Sequence, residues 1–68
     1  MRQVFLNKGL DGFWVAECPS LPGCISQGET KELALQNIKE AIELYIETLV
    51  DDNLPVPEEH FESILAVV

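Results

Sequence analysis

Residues 30–50 read TKELALQNIKEAIELYIETLV, and this stretch decides the fold. At about 100° per residue, Ala34, Leu35, Ile38, Ala41, Ile42, Tyr45, Ile46 and Leu49 fall on one side of a helix. Gln36, Glu40, Glu43 and Glu47 fall on the other. A broad apolar stripe with a charged back is the pattern of a helix laid on a sheet, so the rest of the chain has to supply that sheet. Thr30 is the expected N-cap, because its hydroxyl can accept from an otherwise unpaired amide of the first turn. Glu32 sits in that turn, where the positive end of the helix dipole favours it. Leu33 stands where a capping box needs Glu or Gln, so no full box forms.

The helix back is unusually acidic. Glu40, Glu43 and Glu47 are spaced three and four apart, so like charges are neighbours, each pair costing a few tenths of a kcal/mol. Asp51 and Asp52 crowd the C-terminal end, where the dipole disfavours anions. Lys39 can relieve Glu43, in the weaker Lys-before-Glu order. A solvated face carries such charge, and so does a docking surface for a basic partner.

Upstream, residues 2–7 form an expected first strand with Val4, Phe5 and Leu6. Lys8-Gly9-Leu10-Asp11-Gly12 is a turn, and residues 13–18 are a second strand that closes an antiparallel hairpin. Within the second strand, Trp14, Ala16 and Cys18 share one face and Phe13, Val15 and Glu17 the other. Glu17 marks its face as the less buried one, so Trp14, Ala16 and Cys18 are expected to face the helix. Phe13 and Val15 then lie on a face that one helix cannot cover, a patch suited to a second subunit or a partner. Pro22-Gly23, inside the turn 19–23, is a type II turn signature. A short third strand over residues 24–27 follows, and Gly28-Glu29-Thr30 swings the chain into the helix.

Downstream, Asp51-Asp52-Asn53 ends the helical period, and Leu54-Pro55-Val56-Pro57 is stiff and extended. Residues 61–68 are an expected last strand, with Ile64, Ala66 and Val68 alternating against Leu65 and Val67. The expected class is α+β, ordered β-β-β-α-β, with one helix on one face of the sheet. A right-handed crossover places the last strand parallel to the first, in spatial order 3-2-1-4. Residues 1–68 are expected to be one domain, with Phe13, Val15, Leu65 and Val67 at an oligomer interface.

A chain of 68 residues buries only about 60% of its unfolded surface, and small domains of this kind often gain stability by oligomerising. At 47% hydrophobic residues the chain is too apolar for a disordered segment. The formal net charge of −8 speaks against a nucleic-acid surface, and Arg2, Lys8, Lys31 and Lys39 form no basic cluster in the sequence. Cys18 and Cys24 lack the spacing of a metal or redox pair. Free, partly buried thiols in a cytoplasmic protein are the expected state; a cross-strand disulfide would need an oxidising compartment. No signal peptide is evident, and no apolar run approaches the roughly 20 residues of a membrane span.

Catalytic residues are sparse. His60 is the one histidine, in an expected surface connection after two prolines and two glutamates. Cys24 follows a Pro-Gly turn but has no basic sequence neighbour to lower its pKa. The carboxylates lie on the helix back or in loops, and residues 2–7 contain none, whereas a two-metal nuclease needs acids converging at strand ends. No catalytic group, cofactor or metal ligand is assigned, and the chain is expected not to be an enzyme.

Taken together, Asp11-Gly12, Ala16-Glu17-Cys18-Pro19, Leu21-Pro22-Gly23-Cys24, Gln27-Gly28-Glu29-Thr30, Ala34, Asn37-Ile38, Glu40-Ala41-Ile42 and Tyr45 resemble the N-terminal domain of HicB-type antitoxins. The likeness spans roughly residues 1–50, and the expected β-strand tail fits it too. The resemblance implies a β-β-β-α-β domain related to a truncated ribonuclease H fold without that fold's catalytic acids. It also implies a partner: a small basic HicA-type toxin that cleaves mRNA and whose active site the antitoxin covers. Dimers and larger assemblies are common in the family. Many members add a C-terminal DNA-binding segment; here the sequence is expected to end at the last strand, without direct operator binding. Glu40, Glu43 and Glu47 are the expected toxin contacts. The alternative is a solitary, self-associating HicB-like domain with an accessory or structural role.

Overall fold

A computed structural model describes residues 1–59 and 66–68. Three strands, β1 (Phe5–Lys8), β2 (Trp14–Glu17) and β3 (Ile25–Gly28), precede one long helix, α1 (Lys31–Asp51). The class is α+β, as expected. The sheet order is β1-β2-β3, both pairs antiparallel, with Leu6 opposite Ala16 and Ala16 opposite Ser26. The expected fourth strand lies mostly outside the described residues, as do His60 and Leu65; residues 66–68 are exposed and belong to no strand.

The turns follow from their residues. Gly12 takes φ +87° and Gly23 φ +79°, conformations that a Cβ would oppose. Cys24 N–H donates to the Leu21 carbonyl at 3.0 Å, so Leu21-Pro22-Gly23-Cys24 is the expected type II turn, with Pro22 and then Gly23 at its centre. Asp11 steadies the first hairpin by accepting from the Phe13 amide at 3.0 Å.

The helix is capped as the sequence predicts. Thr30 is extended at the N-cap, and its Oγ1 accepts from the Leu33 amide at 3.1 Å. At the other end, Asn53 takes φ +56°; its N–H donates to Val50 and the Leu54 N–H to Leu49, at 3.1 and 2.8 Å. That pair of bonds is a Schellman motif, with Asn in the left-handed position usually held by Gly.

The core is Ala16, Cys18, Leu21, Cys24, Ala34 and Ile38, all buried, with Trp14, Leu6, Val4, Ala41, Ile42, Tyr45 and Ile46 packed around it. Trp14, Ala16 and Cys18 therefore face the helix, as expected, and the Lys31 ammonium lies 5.9 Å from the Trp14 ring centroid. Gly28 permits the close helix–sheet approach: a Cβ there would lie 2.6 Å from the Ala34 amide nitrogen. Leu21, read from sequence only as part of a turn, is fully buried and ranks with the largest core side chains. Burial of a leucine stabilises by about 1.5–3 kcal/mol, so the turn is held by the core as well as by its own bonds.

The helix lies mainly over β3 and β2 and only grazes β1. This offset separates the apolar stripe into two parts. Ala34 and Ile38 are buried, whereas Leu35, expected on the sheet-facing side, is 42% exposed on the β1 flank.

Candidate functional site

Three surfaces concentrate the chain's unusual chemistry. The first is the helix back. Glu40, Glu43 and Glu47 are all exposed, and Asp51 and Asp52 extend the acidic row to the end of α1. Helical spacing puts Glu40, Glu43, Glu47 and Asp51 on one side, Asp52 follows at the C-cap, and no basic residue lies in the last turn to offset them. The row is a concentrated negative potential facing solvent, able to draw in a cationic surface and to accept charge-assisted hydrogen bonds from Arg or Lys.

The second surface is the sheet face turned away from α1. Register aligns Phe5, Glu17 and Ile25 in one row and Asn7, Val15 and Gln27 in the next. Phe5, Phe13 and Ile25 are exposed, and Val15 is half-buried. Phe13 and Val15 are thus on the face away from the helix, as expected. Of the other two expected interface residues, Val67 is exposed and Leu65 is outside the described residues.

The third surface was not foreseen from sequence. A groove of about 710 Å³ runs between the flank of α1 and the N-terminal segment that leads into β1. Val4, Leu35, Ile38, Ile42 and Ile46 line it, and Arg2, Lys39, Glu43 and Glu59 stand among them as charged groups. The chain after the helix returns beside this groove. Arg2 donates to Ser20 Oγ at 3.1 Å and to the Pro57 carbonyl at 2.6 Å. Glu59 accepts from the Gln3 amide at 2.9 Å and from Ser20 Oγ at 3.0 Å. These residues are far apart in sequence and polar in type, so no periodicity announces the cluster.

Two further bonds tie the helix to the sheet edge and turn. Asn37 donates to the Gln27 carbonyl at 2.8 Å, and the Tyr45 hydroxyl donates to the Pro22 carbonyl at 2.9 Å. Asn37, Tyr45 and Pro22 all belong to the pattern that resembles HicB-type antitoxins, and here they hold turn, sheet and helix in one frame.

The cysteines sit inside that frame. Both are free thiols and both are buried. Burial pushes the Cys24 thiol above its ordinary value, and the neighbouring Cys18 adds to the effect. A nucleophilic cysteine needs the reverse, a thiolate stabilised by positive charge. Among the described residues, no three His, Cys, Asp or Glu side chains are grouped to hold a metal ion, and no helix is long and apolar enough to cross a membrane.

Against this geometry, the profile of a family described as HicB_like antitoxin of bacterial toxin-antitoxin system matches residues 3–66. The chain belongs to the HicB-like antitoxin family. Its relatives include a UPF0150 protein of Synechocystis, 61% identical over 56 residues, which covers 82% of this chain and 71% of the relative. A UPF0150 protein of Thermoplasma acidophilum is 49% identical over 61 residues, 90% of this chain and 88% of the relative. A 14.9 kDa protein from the rep-hol intergenic region of Haemophilus phage HP1 is 38% identical over 81% of this chain but only 41% of its own length. No solved structure matches the chain. The three surfaces thus differ in kind: the acidic helix back faces outward, the outer sheet face sets Phe5, Phe13 and Ile25 beside Glu17, Asn7 and Gln27, and the groove adjoins the returning tail.

Proposed function

We propose that this chain is an antitoxin that binds a small basic HicA-type toxin and neutralises it by covering its mRNA-cleaving active site. The acidic row of Glu40, Glu43 and Glu47 carries this reading within the family. All three are exposed on one rigid helix, in a chain of net charge −8, which suits a cationic RNA-binding partner. Long-range attraction speeds the encounter, and burial of neighbouring apolar surface then sets the lifetime of the complex. The chain itself performs no chemistry and needs no cofactor in this mechanism. It acts in the cytoplasm, where the toxin's mRNA substrate is.

Two structural parts complete the proposal. The outer sheet face, with Phe13 and Val15, meets a second copy, joined by Leu65 and Val67 from the tail. Residues 61–65 add a fourth strand beside β1, giving order 3-2-1-4 and a partial ribonuclease H-like sheet. The returning tail supports this placement: Glu59 is already bonded to Gln3, just before β1.

The exposed Phe5, Phe13 and Ile25 favour one other reading, a solitary self-associating domain without a toxin. Recovery of the chain from its own cells at low salt separates the two. A small basic ribonuclease recovered with it, and silenced by it in an RNA-cleavage assay, is the expected result. The chain recovered alone, as an oligomer, favours the solitary domain.

A further inference from the structure

We propose that Cys18 and Cys24 form a reversible intramolecular disulfide that locks the turn between β2 and β3. The register that pairs Glu17 with Ile25 continues one step to Cys18 and Cys24, and the Cys18 N–H donates to the Cys24 carbonyl at 3.0 Å. Directly opposed residues that share a ladder hydrogen bond have Cα atoms about 5.5 Å apart and side chains on one face. A disulfide accepts Cα separations of roughly 4.4–6.8 Å. Both side chains are buried on the helix side of the sheet, 1% and 4% exposed. A single ladder bond spans the pair, because the Cys18 carbonyl and the Cys24 amide are both engaged by Leu21 instead.

The oxidant is a small-molecule disulfide. One cysteine, as its thiolate, attacks a sulfur of that disulfide; the small disulfide's S–S bond breaks and one small thiol leaves with a proton. The second cysteine then attacks the mixed disulfide, forming the Cys18–Cys24 bond and releasing the second small thiol. Two protein thiols are oxidised and one disulfide is reduced to two thiols. Because both cysteines are covered, the first attack waits on opening of the turn 19–23, which makes the reaction slower than at an exposed thiol. The locked turn holds Ser20 against Arg2 and Glu59, and the Pro22 carbonyl against Tyr45.

The full chain is incubated with oxidised glutathione, quenched with acid, and examined by intact mass and peptide mapping. The expected product is a monomer lacking two hydrogens, cross-linked between Cys18 and Cys24, reopened by dithiothreitol and melting higher than the reduced chain. Cys18→Ser and Cys24→Ser should each stop at one bound glutathione. Stable glutathione adducts on the unmutated chain, cross-links between chains, or thiols that stay free while the urea-unfolded chain oxidises would each overturn the proposal. An oxidised monomer that melts no higher than the reduced one would overturn the locking role.

Discussion

Gly28 shows how little space separates the helix from the sheet. It ends β3, and a Cβ there would meet the backbone of Ala34 and Leu33 at 2.6 and 2.8 Å and the Leu33 Cβ at 2.9 Å. Backbone at a helix start cannot swing aside as a flexible side chain can. Gly28→Ala should therefore destabilise the fold by about 1–3 kcal/mol, the range for overpacking, seen as a lower urea midpoint at unchanged slope. Cys24 makes a second prediction at this scale. Burial, reinforced by Cys18, raises its folded pKa above the unfolded value. The folded chain thus keeps a proton that the unfolded chain has already released. The stability tied to Cys24 is fully present below the ordinary thiol value and is lost as pH rises through the folded one. Chemical denaturation in a reducing buffer should show this decline, and Cys24→Ala should make it shallower.

At the scale of the element, α1 is held at both ends by local chemistry. Asn53 takes the left-handed conformation, which costs an ordinary side chain roughly 1–2 kcal/mol. Asn53→Ala should lower stability by about that amount, whereas Asn53→Gly should hold or raise it; thermal melts distinguish the pair. The acidic row belongs to the same helix and does not serve its stability. Neutralising Glu40, Glu43 and Glu47 together to Gln removes neighbouring like charges and should leave the fold at least as stable. On the proposed antitoxin reading, the same variant should associate with a HicA-type toxin more slowly and with a flatter salt dependence, measured by stopped flow. Association kinetics equal to those of the unmodified chain would remove these three residues from the toxin contact.

For the whole molecule, the informative feature is the edge of the sheet. Among the described residues β1 pairs with β2 alone. The bond from Gly9 N–H to the Phe13 carbonyl sets the phase of that ladder, so Phe5 and Asn7 aim their backbone groups at β2. Leu6 and Lys8 aim theirs outward, away from β2. Exposed edges of this kind are normally covered, charged or paired. The proposed fourth strand over residues 61–65 should give the Leu6 and Lys8 amides hydrogen-exchange protection close to that of the β2 amides. Exchange as fast as at the exposed hairpin residue Leu10 would mean that no strand pairs there.

Local physics determined much of this protein from its sequence. The 3.6-residue period of Ala34, Ile38, Ala41 and Tyr45 made the helix. Thr30 set its start, Gly12 and Pro22-Gly23 set the turns, and the alternation around Trp14 and Ala16 chose the buried face. Each of these depends on neighbours a few residues away, and such interactions leave a periodic or positional mark. Strand bounds shifted by a residue or more, because ladder bonds rather than composition end a strand. The acidic row was legible too, since helical spacing alone gathers its residues.

Only the tertiary structure decided where the helix sits across the sheet. Its offset toward β3 opened the groove beside the segment leading into β1 and exposed Leu35, although Leu35 shares the stripe of Ile38. The tertiary structure also drew Leu21 from a turn into the core and joined Arg2 and Gln3 to Ser20, Pro57 and Glu59. These contacts join residues from the two ends of the chain, and their formation depends on how whole elements pack. No window of sequence contains both partners, so no local pattern records them.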